Sequence, residues 1–268
     1  MEFHDAIARA RQAGACREAL EAVESMSGWN EFARHPRAAE WAMWYASNVM
    51  QDRVRRLEPI IARHPEYAYR YASEVIRARW PQGEAAIAKD AQWAWRYAKH
   101  VIGGPWPQAE PAISQHPEWA CCYAVDVIRA RWPQGEPAIA RNPYYAYYYA
   151  RKIIRAPWPE AEPVIAQHAQ WAYCYAVDVI RGRWQQGEAA IAQRPQWAYR
   201  YARDVIRGRW TQVEAAIAKH PHWAYCYARH VIGGRWPEAE PVIARDGFAA
   251  HYYDCTVRGV LGRKEEEK

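Results

Sequence analysis

Apolar and polar positions along this chain follow a pattern that repeats every 26 residues. Trp80, Trp106, Trp132, Trp158, Trp184, Trp210 and Trp236 each open a copy, and a more divergent copy begins at Val54. With the tryptophan as position 1, position 5 is glutamate, position 8 isoleucine and position 18 tyrosine in all eight copies. Such self-similarity marks a tandem array in which each copy is one supersecondary unit.

Within a copy the pattern predicts two helices. The stretch after the tryptophan, as in WPQGEAAIA, starts with proline, which suits a first helical turn, and is too short to be stable alone. A second start signal stands at positions 11 and 12, as in Asp90-Ala91, His116-Pro117, Asn142-Pro143 and His220-Pro221. His64 and His168 share position 11, where a side-chain acceptor caps the helix that follows. Each copy is therefore expected to be a hairpin of a short helix A and a longer helix B that ends at glycine or alanine. In helix B the apolar columns 14, 15, 18, 19, 22 and 23 recur at i, i+4 and i+8. At about 100° per residue they share one half of the helix, facing helix A and the neighbouring copies.

A single hairpin of this size cannot bury its apolar face, whereas a stack can. The expected fold is an all-α, curved α-solenoid of eight copies over residues 54–261. Residues 1–53 are read as an N-terminal helical cap: HDAIARARQA, then ACREALEAVESM after Gly14, then a helix carrying Trp41, Tyr45 and Val49 that matches helix B. The charged tail at 262–268 is read as solvated and disordered.

Composition narrows the class. Tryptophan and tyrosine supply 35 of the 38 aromatic residues, so many core side chains carry a polar group that needs a partner. No apolar run reaches the roughly 18 residues of a membrane span, and the N-terminus lacks the apolar core of a signal peptide. Cys122, Cys174 and Cys226 share one column, without CxxC spacing, which reads as reduced thiols in a cytoplasmic protein.

The pattern WPEAEPVIA…HPxWAYxYAxxVIRGRW resembles tandem helical repeats of uncharacterised phage and bacterial proteins. In helix-pair logic it is distantly similar to TPR-like solenoids, although their period is about 34 residues. The resemblance implies a cytoplasmic binding protein, phage-encoded and acting inside a bacterial host, and it implies no activity.

The position-5 glutamates (Glu58, Glu84, Glu110, Glu136, Glu162, Glu188, Glu214, Glu240) form a ladder. A catalytic carboxylate pair needs two distinct environments, so repetition argues for scaffold. The expected partners are the position-26 arginines (Arg79, Arg131, Arg183, Arg209, Arg235) or tyrosine hydroxyls. His220 and His222 lack further ligands of suitable spacing, so no metal is expected. Nucleophile, phosphate-loop and dinucleotide motifs are missing from the sequence, so no enzyme and no cofactor are expected.

The variable columns carry the functional expectation. Positions 13, 17, 20 and 24 fall opposite the core of helix B and hold twelve basic residues against two acidic ones, Glu66 and Glu118, in the copies from Val54 to Arg235. With 27 basic and 19 acidic residues, 54–261 carries +8, whereas 1–53 carries −2. A basic stripe suits an acidic partner. Solvation of an exposed face, with position-24 arginines complementing the helix dipole in the last turn, also accounts for it.

One copy differs. RNPYYAYYYARKIIRAP places Tyr144, Tyr148, Arg151 and Arg155 outward with Tyr147 and Lys152 beside them. The flanking copies offer Cys122 with Val125 and Cys174 with Val177 in the same columns. Tyrosine and arginine around an apolar centre is the composition of a binding hot spot. The expectation is a non-catalytic scaffold for a protein partner with an acidic surface, contacted by these residues and by Arg70, Arg96, Arg200 and Arg203. Nucleic acid is the main alternative, and a small molecule held between copies a second.

Overall fold

The computed structural model describes residues 2–258, and every element among them is helical. The last residues of the array and the charged tail at 262–268 lie outside the described residues. The chain divides into two compact units, Met1–Ala138 and Ile139–Lys268. The first holds the cap and the copies opened by Val54, Trp80 and Trp106. The second holds helix B of the Trp132 copy and everything after it. Each is an α-solenoid segment of paired helices.

The expected hairpin is present in every copy. In the Trp80 copy helix A spans Pro81–Ile87 and helix B starts at Ala91. Where position 11 is Asp90, Asn142 or Asp246, the side chain accepts backbone N–H groups of the first turn. His64, His116, His168 and His220 make no such bond and are exposed, the second of the two roles open to this column, capping or simple exposure. The imidazole is bulkier than a short carboxylate or amide and does not fold back on the helix start as Asp and Asn do.

Helix B departs further from the expectation. It begins as an α-helix, Ala91–Tyr97, and continues as a π-helix, Ala98–Ile102, and the same change recurs in every copy. The Gly103 amide donates to the Ala98 carbonyl at 2.9 Å and the Arg129 amide to the Ala124 carbonyl at 2.7 Å, each across five residues. The apolar columns explain why. Four residues of α-helix turn about 400°, so columns four apart drift by about 40° at each step. A wider turn drifts the other way, and a helix that is half α and half π keeps columns 14/18/22 and 15/19/23 aligned.

The wide turn ends in a left-handed residue. Gly103 and Gly233 occupy it at φ 73° and 69°, but Arg77, Arg129, Arg155, Arg181 and Arg207 hold it at φ 56° to 58° in the other copies. These arginines therefore stand just beyond helix B and not in its last turn. A side chain there costs about 1–2 kcal/mol of backbone energy that glycine avoids.

Packing between copies is aromatic. The Tyr97 ring lies 5.0 Å from Trp106 of the next copy, and Tyr175 lies 4.9 Å from Trp184. A second set joins position 16 to position 14 of the following copy: Trp95 with Trp119 at 5.5 Å, Tyr173 with Trp197 at 5.4 Å. Position-4 glycine makes room for the indole, since a Cβ on Gly83 would come 2.5 Å from a Trp80 ring carbon.

The cap comprises α1 (Phe3–Gln12), α2 (Arg17–Glu24), α3 (Trp29–Phe32) and α4 (Ala38–Tyr45), the last running into a π-turn at Ala46–Met50 as helix B does. α1 buries Phe3, Ala6 and Ile7, with the Phe3 ring 5.1 Å from Trp29.

Candidate functional site

The glutamate ladder is tied into the scaffold. Glu84 accepts two hydrogen bonds from the Arg79 guanidinium, both at 3.0 Å, and one from the Tyr97 hydroxyl at 2.9 Å. Arg183 with Glu188, Arg209 with Glu214 and Arg235 with Glu240 repeat the fork, and Arg53 does the same for Glu58. Proline replaces the arginine before Trp106 and Trp158, so Glu110 and Glu162 take the tyrosine hydroxyl without a guanidinium. Burial raises the Tyr97 hydroxyl to about 12, with the Trp80 amide opposing and Glu84 reinforcing the shift.

The basic stripe is largely engaged within the array. Lys99 pairs with Asp126 of the next copy at 2.9 Å, and Arg151 with Asp178 at 3.3 Å. Arg203 binds Asp204 at 2.6 Å and donates to the Tyr199 hydroxyl at 3.1 Å. Arg70 pairs with Glu74 at 3.2 Å. Arg96 and Arg200 lie over Trp93 and Trp197 of their own helices at 4.9 and 4.8 Å. Arg203 is thus held by partners within its own copy. Asp126, Asp178 and Asp204 are counter-charges of the stripe. Their register, Tyr or a base at position 16 or 20 and Asp at position 21 one copy later, was visible in the columns.

Arg155, Arg181 and Arg207 are exposed, and none forms an ion pair among the described residues. Arg155 and Arg181 border a groove of about 430 Å³ whose other walls are Arg151, Val177, Asp178 and Val179.

The tyrosine-rich copy divides. Tyr144 is 39% exposed, its ring 4.8 Å from Trp171 of the next copy and 6.1 Å from Tyr148. Lys152 sits 5.9 Å over the half-buried Tyr148. Tyr147, expected beside the outward face, is only 6% exposed: its hydroxyl donates to Asp178 and its ring stacks on Trp171 at 5.8 Å. Burial, and then Asp178, pushes its hydroxyl well above the ordinary tyrosine range. A helix carrying five tyrosines within seven residues cannot expose all of them, and the one at position 16 follows the inter-copy stack.

Val177 is exposed at the groove, and Cys174 is half-buried with its thiol pushed up by burial. In the first unit Cys122 and Val125 are half-buried, and burial raises the Cys122 thiol to about 11. Trp171 joins this surface from a column read as core, beside Asp178 and the stripe residue Arg181.

Among the described residues no group of three His, Cys, Asp or Glu side chains is placed to hold a metal ion, and no helix is long and apolar enough to cross a membrane. No protein-family model, curated protein or solved structure matches the chain.

Proposed function

We propose that this protein is a non-catalytic recognition scaffold that binds an acidic protein surface through the B helices opened by Asn142 and His168. The carrying observation is the exposed Tyr144 ring held against Trp171 and Tyr148 on the two helices that also supply the groove of Arg151, Arg155 and Arg181. Immobilised aromatics lose little entropy on binding and serve as anchors. Arg155 and Arg181, kept at a strained backbone position and forming no ion pair among the described residues, suit partner carboxylates.

Nucleic acid is the competing reading, supported by the arginines lying on Trp93 and Trp197. Against it, the position-20 cations are offset by Asp126, Asp178 and Asp204, which reduces the charge available for phosphates. The resemblance of the repeat suggests a bacterial cytoplasm as the setting. Affinity capture from bacterial lysate, with and without nuclease, compares the wild type with a Tyr144→Ser/Tyr148→Ala double variant. A nuclease-resistant protein lost from the variant is the expected result. Material that vanishes with nuclease, or a protein indifferent to the double substitution, contradicts the proposal.

A further inference from the structure

The cap contains a cavity that the recognition surface does not use. The sequence REALEAVE of α2 is amphipathic, with Ala19, Leu20 and Val23 on one stripe and Arg17, Glu18, Glu21 and Glu24 on the other. Such a stripe normally enters a core. No residue of α2 is buried, and Ala19, Leu20 and Val23 instead face a cavity of about 460 Å³. Across from them stand Phe3, Ala6, Ile7 and Ala10 of α1, one helical stripe at i, i+3, i+4 and i+7. Protein interiors are packed without voids of this size, which lies instead in the range of small-molecule pockets.

The walls define the chemistry of an occupant. Trp29, Trp41 and Ser47 all contribute to them, and the Nε1 atoms of Trp29 and Trp41 and the Oγ of Ser47 are buried without a hydrogen-bond partner among the described residues. These polar atoms are closed off from the cavity, which presents ring faces and edges to an occupant in their place. The charged wall residues are already compensated: Arg37 binds Glu40 at 2.9 Å and Glu18 at 2.8 Å, and Arg70 binds Glu74. An ionised ligand would find no counter-charge to claim. Phe3, Trp29 and Phe32 pack edge to face, with centroids 5.1 and 5.8 Å apart along the series, and so present both ring edges and ring faces.

We infer that the cap binds one neutral, planar aromatic molecule in the cavity between α1 and α2. This site is separate in residues and chemistry from the proposed protein-binding surface.

The test uses the full chain and the neutral naphthyl ketone 6-propionyl-2-(dimethylamino)naphthalene, whose emission shifts to the blue in a dry site. Saturable one-to-one binding with a blue shift is expected. Naphthalene, which has the ring system alone, should compete with the dye for the site. Ala19→Phe and Ala10→Phe each place a ring in the cavity and should weaken dye binding at least about tenfold with helicity retained by circular dichroism. Two filling variants are used so that a folding failure in one leaves the other to decide. Tyr144→Ser/Tyr148→Ala should leave dye binding unchanged, which separates this site from the recognition surface. Absence of saturable blue-shifted emission, or unaltered affinity in a folded filling variant, overturns the inference.

Discussion

The backbone N–H of Trp80 donates to the hydroxyl of Tyr97 at 2.7 Å, closing the first residue of the copy onto the middle of its helix B. The same hydroxyl donates to Glu84, and the same ring packs on Trp106 of the next copy. One side chain therefore fixes the hairpin and its stacking together. The bond recurs at 2.6–2.9 Å in the copies opened by Val54, Trp106, Trp158, Trp184, Trp210 and Trp236.

Tyr97→Phe should keep the ring contact and lose both hydroxyl bonds. It leaves the buried Trp80 amide without its acceptor, at a cost of about 1–3 kcal/mol. Tyr123→Phe should cost more, because Glu110 has no arginine fork to fall back on whereas Glu84 keeps Arg79. Urea denaturation of the two variants checks the order, and a smaller loss in Tyr123→Phe would refute this role of the fork.

Stability should fall at both ends of the pH range. Glu214 is held below the ordinary carboxylate range by Arg209, with burial opposing and Tyr227 assisting. For Glu84 burial acts upward, and Arg79 and Tyr97 outweigh it. A depressed carboxylate stabilises fully above its unfolded value of about 4.3, and the contribution is lost as pH falls through the folded value. Burial raises Tyr227 to about 12, with the Trp210 amide opposing. A raised tyrosine stabilises fully below its unfolded value of about 10, and that contribution is lost as pH rises through the folded one. Denaturation midpoints should be highest between roughly pH 7 and 8 and drop outside that window, with His100 and His230, lowered by burial, adding to the acid loss and the raised Cys122 thiol to the alkaline one. A midpoint unchanged down to pH 3 would remove the carboxylate part of the account.

Arg181→Gly should raise stability by about 0.5–1 kcal/mol, since relief of the left-handed strain exceeds the extra entropy of a glycine chain. The same substitution should weaken partner binding if the strained arginine serves recognition. Thermal melts paired with a binding assay read both effects. A stabilised variant with full affinity would show that the arginine is not a contact.

Much of the fold was legible in columns: the period, the hairpin, and the glutamates paired with arginine and tyrosine. The π-turns were missed because the columns were read at α-helical pitch. Their strict four-residue spacing was the signal. The left-handed arginines were concealed by their own identity, although Gly103 and Gly233 stand in the same column and point to a backbone that favours glycine. The candidate surface was less legible. Whether Tyr147 faces outward or inward depends on Trp171 and Asp178 of the next copy, a relationship of register between copies that no single helical wheel contains.

The account of function turns on whether aromatic contact or phosphate neutralisation supplies the affinity. The deciding measurement is calorimetric titration of the captured partner, and of a mixed-sequence oligonucleotide, at about 50 and 200 mM salt. Wild type is compared with Tyr148→Ala and with single glutamine substitutions of Arg70, Arg96, Arg151, Arg200 and Arg203. Recognition of a protein predicts that Tyr148→Ala costs about 2 kcal/mol or more, exceeding every single arginine change, with modest salt dependence. Salt-steep binding to the oligonucleotide, lost evenly across the arginines and indifferent to Tyr148, would contradict it.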